Sequence, residues 1–389
     1  MALPLGYNLR NLFVRRTATA MTVLGVACVV LVFLFVMGLA EGFRAAVAGN
    51  GLPDNALVLR DGAQSEVQSA VDRGAVELLR TLPQVAAAPD GAPICCADMV
   101  VVITHPRQTD GEETNVTVRG VTGRWRDVRP FLRLEEGAWF TPGSDEVVVG
   151  RALVGRMTDC RVGGVIRTAG RSWRVVGVFS ADGSAFESEL WGDGDVMIES
   201  FRRKVFQSMT LRLRAPGDVD AVAAAFAADP RLKTLQVRRE DVFYAEKSEE
   251  ATLFLRILGA VVTAVMAVGA VLGAMNTMYA SVAYRTREIG TLRAIGFRPA
   301  SIFIAFLLES LLLCSLGAGC GVLLASPVNG LAAGTMNWTT FSEIAFQFRV
   351  TPALVGNGIL FGLVMGVLGG AFPAWRAARL PVVRSLRRA

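Results

Sequence analysis

The chain has 389 residues, of which 52% are hydrophobic and 19% charged, with a mean hydropathy of +0.43. So apolar an average excludes an ordinary soluble domain and places part of the chain in lipid. The formal charge is +6 and the pI about 9.3, but where the charges lie matters more than their sum.

Four runs are long and apolar enough to cross a hydrocarbon core of about 30 Å, which takes about 20 helical residues. Residues 1–17 read as a cytoplasmic amphipathic helix, and 18–40 as the first span. This run is longer than the apolar stretch of a cleaved signal peptide, usually about 7–15 residues, so a retained anchor is expected. Residues 41–250 are polar and mixed in pattern and form one large extracytoplasmic α+β domain. Its ends, about 50–90 and 200–245, read as an α/β lobe. Asn55–Gly62 is a strand, Ser65–Arg80 a helix with Val67, Val71, Ala75 and Leu78 on one face, and the far end repeats strand, helix, strand. Between them, about 91–199, short strands parted by glycine turns suggest a separate β-rich lobe. The second span is expected at 251–284, the third at 300–325, a short outer loop at 326–349, the fourth span at 350–375 and a tail at 376–389. The fold class is thus a membrane protein with four transmembrane α-helices, one plus three, and the large domain inserted after the first.

Residues 41–250 hold 26 Lys+Arg and 31 Asp+Glu, while the remainder holds 14 Arg and 3 Glu. The basic residues flank the spans: Arg10, Arg15 and Arg16; Arg285, Arg287, Arg293 and Arg298; Arg376, Arg379, Arg384, Arg387 and Arg388. By the positive-inside rule those three segments are cytoplasmic, both termini with them, and the large domain faces outward. The basic pI therefore speaks for topology, and no nucleic-acid partner is expected.

Between the second and third spans lies the sequence YRTREIGTLRAIGF, Tyr284–Phe297. Ile289, Leu292, Ile295 and Gly296 recur at helical spacing, so 285–299 reads as a short amphipathic helix with Arg285, Glu288 and Arg293 on its charged face, Gly296 as its stop and Pro299 beyond. Such a loop also serves as a plain topology anchor.

Within the spans, Asn276 and Glu309 stand out. An ionisable group at a span centre costs about 2.5–3.5 kcal/mol on insertion scales, so Glu309 is expected to snorkel or to pair with an arginine. Asn276 is expected to hydrogen-bond across helices. Gly269 and Gly273, Gly317 and Gly321, and Gly362, Gly366 and Gly370 are candidate faces for close helix packing. Too few polar residues line the spans for a channel.

Catalytic signals are weak. The chain has three lysines, Lys204, Lys233 and Lys247, and none follows a glycine, so it contains no Walker A loop. His105 is its single histidine, which excludes zinc sites of two or three histidines, and it reads as an exposed loop residue. No catalytic or metal-ligating set is expected. Cys95, Cys96 and Cys160 lie in the outer domain and permit at most one bridge, Cys160 with either of the other two.

YRTREIGTLRAIGF followed by FLLES at Phe306–Ser310, the closing FPAWRAARLPVVRSLR from Phe372 and the opening NLRNLFVRRTATAMTVLGV together resemble the FtsX/MacB/LolC-type permeases of ABC transporters. The likeness runs over the whole chain, and GRSWRVVGVF resembles a recurring strand of the MacB-like periplasmic core domain. Phe297 stands where many relatives carry a small residue.

The resemblance implies a bacterial inner-membrane half-transporter that pairs with a second, identical or related permease chain and sits on separate ABC ATPase subunits. A periplasmic adaptor and an outer-membrane protein are further implied partners, and membrane lipid surrounds the spans. ATP and magnesium would belong to the ATPase, with no cofactor in this chain. The coupling helix would comprise Arg285, Arg287, Glu288, Ile289, Gly290, Leu292, Arg293, Ala294, Ile295, Gly296 and Phe297, with Ile289, Leu292 and Ile295 filling a groove on the ATPase and Arg287, Glu288 and Arg293 setting register. ATP-driven motion would be passed to the outer domains for export or extraction of a lipoprotein, drug, peptide or similar cargo. The alternatives are an FtsX-like regulator of a cell-wall hydrolase and a membrane-anchored receptor.

Overall fold

The structure is a computed structural model that describes residues 16–336 and 342–381. The N-terminal amphipathic segment up to residue 15, and Arg384, Arg387 and Arg388, lie outside the described residues. The chain divides into two units, one of residues 1–41, 253–331 and 348–389, the other of 42–252 and 332–347.

Four helices in the described residues are long and apolar enough to cross a membrane. They are α1 (Arg16–Ala48), α6 (Glu240–Tyr284), α8 (Pro299–Ala325) and α9 (Pro352–Ala378). Proline at the first position of α8 and α9 fits where no intrahelical N–H bond is lost, and the Thr351 hydroxyl caps α9 by accepting from the Leu354 N–H at 3.3 Å. Both α1 and α6 run past the expected spans, α1 at its C-terminal end and α6 at its N-terminal end, and each continues unbroken from one unit into the other.

In the membrane unit the glycines sort the helix contacts. A Cβ on Gly317 would stand 2.7 Å from Val26 Cβ, and one on Gly321 2.9 Å from Val30 Cβ, so α8 lies close against α1. A Cβ on Gly362 would stand 2.6 Å from Ala318 Cβ, and one on Gly366 3.1 Å from Cys314 Cβ, so α9 packs on α8. Gly269 and Gly273 have nothing within 4 Å of such an atom. The cross-helix hydrogen bond expected of Asn276 is made by its neighbour, between the hydroxyls of Thr277 and Thr22 at 2.9 Å. Asn276 itself is exposed, on the open groove that α6 shares with Gly25 and Cys28 of α1.

The other unit is built on one sheet of ten strands: β1 (Asn55–Arg60), β2 (Cys95–Pro106), β3 (Glu113–Val121), β4 (Arg133–Gly137), β5 (Glu146–Gly150), β6 (Val165–Thr168), β7 (Arg171–Ser180), β8 (Glu189–Asp193), β9 (Ser208–Arg212) and β10 (Leu235–Arg239). Their order is β10-β1-β9-β2-β3-β8-β5-β7-β4, with β6 paired to β7. Strands from both expected lobes thus share one sheet: β9 of the outer part lies against β2 of the middle part, Leu211 opposite Cys95. Of the helices α2 (Arg73–Arg80), α3 (Trp125–Val128), α4 (Gly194–Ser200) and α5 (Asp218–Ala228), α2 and α5 contribute Val76, Leu79, Val222 and Phe226 to a core with Val58, Met99, Val118 and Met209.

Two expectations change here. The helix foreseen over 65–80 is broken into a 3-10 turn at Glu66–Gln68 and α2, begun by Asp72, whose Oδ1 accepts from the Ala75 N–H at 2.9 Å; Val71 between them pairs with Phe206. His105 lies in β2, buried, its Nε2 at 2.7 Å from the Thr158 carbonyl oxygen. Cys95, Cys96 and Cys160 are all buried free thiols.

The segment read as a short outer loop carries a hairpin of β11 (Ala332–Met336) and β12 (Glu343–Gln347), and this hairpin belongs to the sheet-bearing unit. Glu343 of β12 accepts from Arg107 at 3.1 Å and Thr114 at 3.2 Å and pairs with Arg156, while the Ala345 N–H donates to Ser188 Oγ at 2.8 Å.

Candidate functional site

The charged segment between α6 and α8 folds as α7, Thr286–Ala294. It ends as its sequence predicts: Gly296 adopts φ 103°, the Phe297 N–H donates to the Leu292 carbonyl and the Gly296 N–H to the Arg293 carbonyl, a pairing that closes a helix where only glycine escapes the Cβ penalty.

Three side chains tie α7 to the spans. Arg285, just before it, donates to Glu309 of α8 at 2.7 Å, and its guanidinium lies 4.9 Å from the centre of the Phe306 ring. The other Glu309 oxygen accepts from Ser281 of α6 at 3.2 Å. Both partners of the ion pair are largely buried, as a charge inside a span requires. At the other end Arg293 donates to the Ala378 carbonyl, at the close of α9, at 3.2 Å. Between them Ile289 is 2% exposed and packs among Met278, Val282, Ile302, Phe306 and Ala377. Its burial is worth about 2 kcal/mol.

Two expected roles therefore change. Ile289 lies in the membrane unit's own core and does not present itself on the outside, and Gly290 is buried with it. Arg293 turns one of its guanidinium nitrogens inward to Ala378. Leu292 and Phe297 are half-buried. The outer face of the helix is instead a stripe at spacings of three and four: Tyr284 at 84% exposure, Arg287, Glu288, Thr291 and Ile295 at 71%, with Ala294 and Gly296 beside it. Ile295 keeps helical dihedrals, and six residues at about 100° each set it about 120° round the helix from Ile289, so the two isoleucines do not share a face.

A second constellation, in the sheet-bearing unit, has no sequence signature. Arg119 of β3 is buried and bonds three carboxylates: Glu189 at 2.7 Å, Glu66 at 2.9 Å and Asp98 at 3.0 Å. Arg129, also buried, pairs with Asp98. Ser208 and Tyr244 donate to Glu66 at 2.7 and 3.0 Å, and the Trp191 indole to Glu189 at 2.8 Å. Burial pushes the Glu66 carboxyl up, but the charge and hydrogen bonds of Arg119 overcome it and hold the group at about 2. Glu189 is raised, since burial outweighs its share of Arg119. Glu240, in the extracytoplasmic first turn of α6, is raised by burial to about 7 despite Arg129 and bonds from Asn55 at 2.7 Å and the Leu52 N–H at 3.1 Å. These residues are far apart in sequence and meet only through strand order, so no local pattern reveals them.

A family model described as the MacB-like periplasmic core domain matches residues 19–229, and one described as the FtsX-like permease C-terminal matches 260–382. The chain is 26% identical over 291 residues to the uncharacterized ABC transporter permease YknZ of Bacillus subtilis, covering 71% of each. It is 31% identical over 297 residues to the macrolide export ATP-binding/permease protein MacB 1 of Aeromonas hydrophila, and 26% identical over 409 residues to MacB of Hyphomonas neptunium. These alignments take in 70% and 97% of this chain but only 43% and 59% of those longer proteins. The crystal structure of the extracellular domain of YknZ aligns with 47% of this chain and 99% of that domain, at 15% identity and a TM-score of 0.35. With the core-domain model covering more than half of its length and the permease model most of the rest, the chain belongs to the MacB/FtsX-like family of ABC-transporter permeases.

Proposed function

We propose that this chain is the permease subunit of a MacB/FtsX/LolC-type ABC transporter and that α7 is the element through which a separate ATPase moves it. The carrying observation is that one face of α7 is tied to α8 by Arg285 to Glu309, itself bonded to Ser281 of α6, and to α9 by Arg293 to Ala378, while the opposite face is exposed. A force applied to Tyr284, Arg287, Glu288, Thr291 and Ile295 would reach the spans through those bonds rather than bend a loose loop. ATP and magnesium would sit on the partner. The stripe's apolar ends would supply contact energy and its charges orientation and partner choice.

In this reading α7, both termini and the basic flanks are cytoplasmic, and the sheet-bearing unit lies outside the bacterial inner membrane. A second permease chain would meet the open glycine face of α6, where Gly269 and Gly273 line a groove with Gly25, Cys28 and Asn276. This face would also give Asn276 a partner. The cargo would be handled outside the membrane, as the apolar composition of the spans favours; export or extraction is the reading taken, with assembly onto a periplasmic adaptor and outer-membrane protein as its extension. The test is ATP hydrolysis by the reconstituted complex. Glu288→Lys should lower stimulation of the ATPase severalfold with membrane insertion intact, and unchanged stimulation would remove Glu288 from the contact.

A further inference from the structure

We propose that the C-terminal end of α9, where it meets α6, is a binding site for an anionic phospholipid headgroup held by Arg376 and Arg379. The proposal requires only that α9 crosses a membrane, whichever side its last turn faces, so it stands apart from the ATPase-coupling reading.

Three observations meet here. The first is a graded stripe along one side of α9. At about 100° and 1.5 Å per residue, Val364, Leu368, Phe372, Trp375, Arg376 and Arg379 fall within about 120° of arc. All six are exposed, Phe372 at 62% and Trp375 at 51%. The stripe thus runs from hydrocarbon to aromatic to cation. From Val364 to Phe372 is about 12 Å, most of the depth of one leaflet's hydrocarbon, and Arg376 and Arg379 stand about 6 and 10 Å beyond, at the level of the headgroups. Trp375 falls at the boundary between them, the depth that tryptophan favours.

The second observation is how the cations are held. The Arg376 guanidinium carbon lies 5.7 Å from the centre of the Tyr279 ring of α6, and that of Arg379 4.4 Å from the centre of the Trp375 ring. Close packing brings α6 there: a Cβ on Gly369 would stand 2.9 Å from Ala274 Cβ. A ring face steadies a guanidinium without using its five N–H donors. The third is that no carboxylate is at hand. The membrane unit contains three acidic side chains, Glu41, Glu288 and Glu309. Glu288 and Glu309 pair with Arg285, and Glu41 lies beyond Gly38, whose carbonyl accepts from the Arg349 N–H before the opposite end of α9. The segments outside the described residues contain no Asp or Glu.

Two fork-shaped donors with free N–H groups and no counter-charge suit a phosphate diester. The apolar stripe leading into them makes its source a lipid and not free phosphate, since the acyl chain of the same molecule lies along Leu368 and Phe372. A headgroup that also carries an ammonium would bring a cation where no carboxylate receives it, so an anionic headgroup such as phosphatidylglycerol is selected over a zwitterionic one. The carbonyl end of α9 disfavours an anion on its axis, but Arg293 covers the Ala378 carbonyl and the two arginines stand on the side of the helix.

The experiment places the full chain in nanodiscs of phosphatidylcholine with a minor fraction of lipid brominated near the top of its acyl chains, either phosphatidylglycerol or phosphatidylcholine. Bromine quenches tryptophan on contact, and the Trp375 signal is the part missing from Trp375→Phe. The expected result is quenching by brominated phosphatidylglycerol at least about twofold stronger than by brominated phosphatidylcholine at equal fraction, a preference that falls as salt is raised. In Arg376→Gln/Arg379→Gln the ratio should approach one, with insertion and Tm unchanged. Should that variant insert poorly, the salt dependence in the unaltered chain carries the test. Equal quenching by the two lipids overturns the proposal, as does a preference that survives the double substitution or does not respond to salt. Equal quenching together with loss of a bound ATPase from the variant assigns the arginines to a protein contact and overturns it too.

Discussion

Glu309 is a carboxylate in a membrane span, and its cost is offset because Arg285 reaches back from the helix boundary to meet it at 2.7 Å. Breaking such a pair from one side leaves a stranded charge, which costs about 3–5 kcal/mol, while replacing both partners by apolar residues is often neutral. Arg285→Met should therefore lower the Tm more than Arg285→Met/Glu309→Met does. The double variant should still lose ATPase stimulation, because stability and force transmission separate there. Glu240 makes a prediction of a different kind. Its carboxyl is raised from an ordinary 4.5 to about 7, so between those values the folded chain holds a proton that the unfolded chain has released. Stability from this group is full below pH about 4.5 and is lost as pH rises through 7, by roughly 3 kcal/mol in all. Glu66 acts in the opposite sense. Held down at about 2, it contributes stability above pH about 4.5 that is lost in acid. Chemical unfolding at pH 5 and pH 8 should find a loss of stability at the higher value that shrinks in Glu240→Gln.

At the scale of the element, α7 behaves as a rivet with one head inside and one outside. Ile289→Asp would bury a charge among Met278, Val282 and Phe306 and should cost at least about 2 kcal/mol, visible as a lower Tm or poor insertion. Ile295→Asp, on the exposed face, should leave the Tm within about a degree or two. The sequence showed that a short helix with a glycine stop lies here, and it placed Glu309 within reach of an arginine, because both rest on local spacing. It could not show which isoleucine faces inward, since that depends on where α9 ends and on Arg293 being drawn to Ala378, 85 residues further along the chain. Asn276 and Thr277 make the same point: adjacent polar residues differ by one helical step, and only the packing of α1 decides which finds a partner.

For the whole molecule, the one-plus-three order of spans and the α/β character of the large domain follow from hydropathy and turn residues, and the comparisons agree with the family that the motifs resemble. Two things required the chain to be assembled. Strand order joins the ends and middle of the large domain in one sheet, because β9 returns beside β2. The short connection between α8 and α9 sends a hairpin into the sheet-bearing unit, fixed by Glu343. Neither event leaves a periodic signal, since both are pairings across a hundred residues or more, and the Arg119 cluster is invisible for the same reason. The sheet-bearing unit thus has a polar interior of its own, built from Arg119, Arg129 and the carboxylates around them.

The central claim is that the exposed stripe of α7 receives an ATPase. Its most direct test is gentle detergent purification of the tagged chain from its native membrane, with quantitative mass spectrometry of what stays bound, beside Tyr284→Ala/Ile295→Asp. The account predicts an ABC ATPase at near-equal amount with the unaltered chain and at least a tenfold loss with the variant, at equal insertion and Tm. An ATPase retained by the variant, or none bound to the unaltered chain under any gentle condition, would contradict it and leave α7 as a topology anchor.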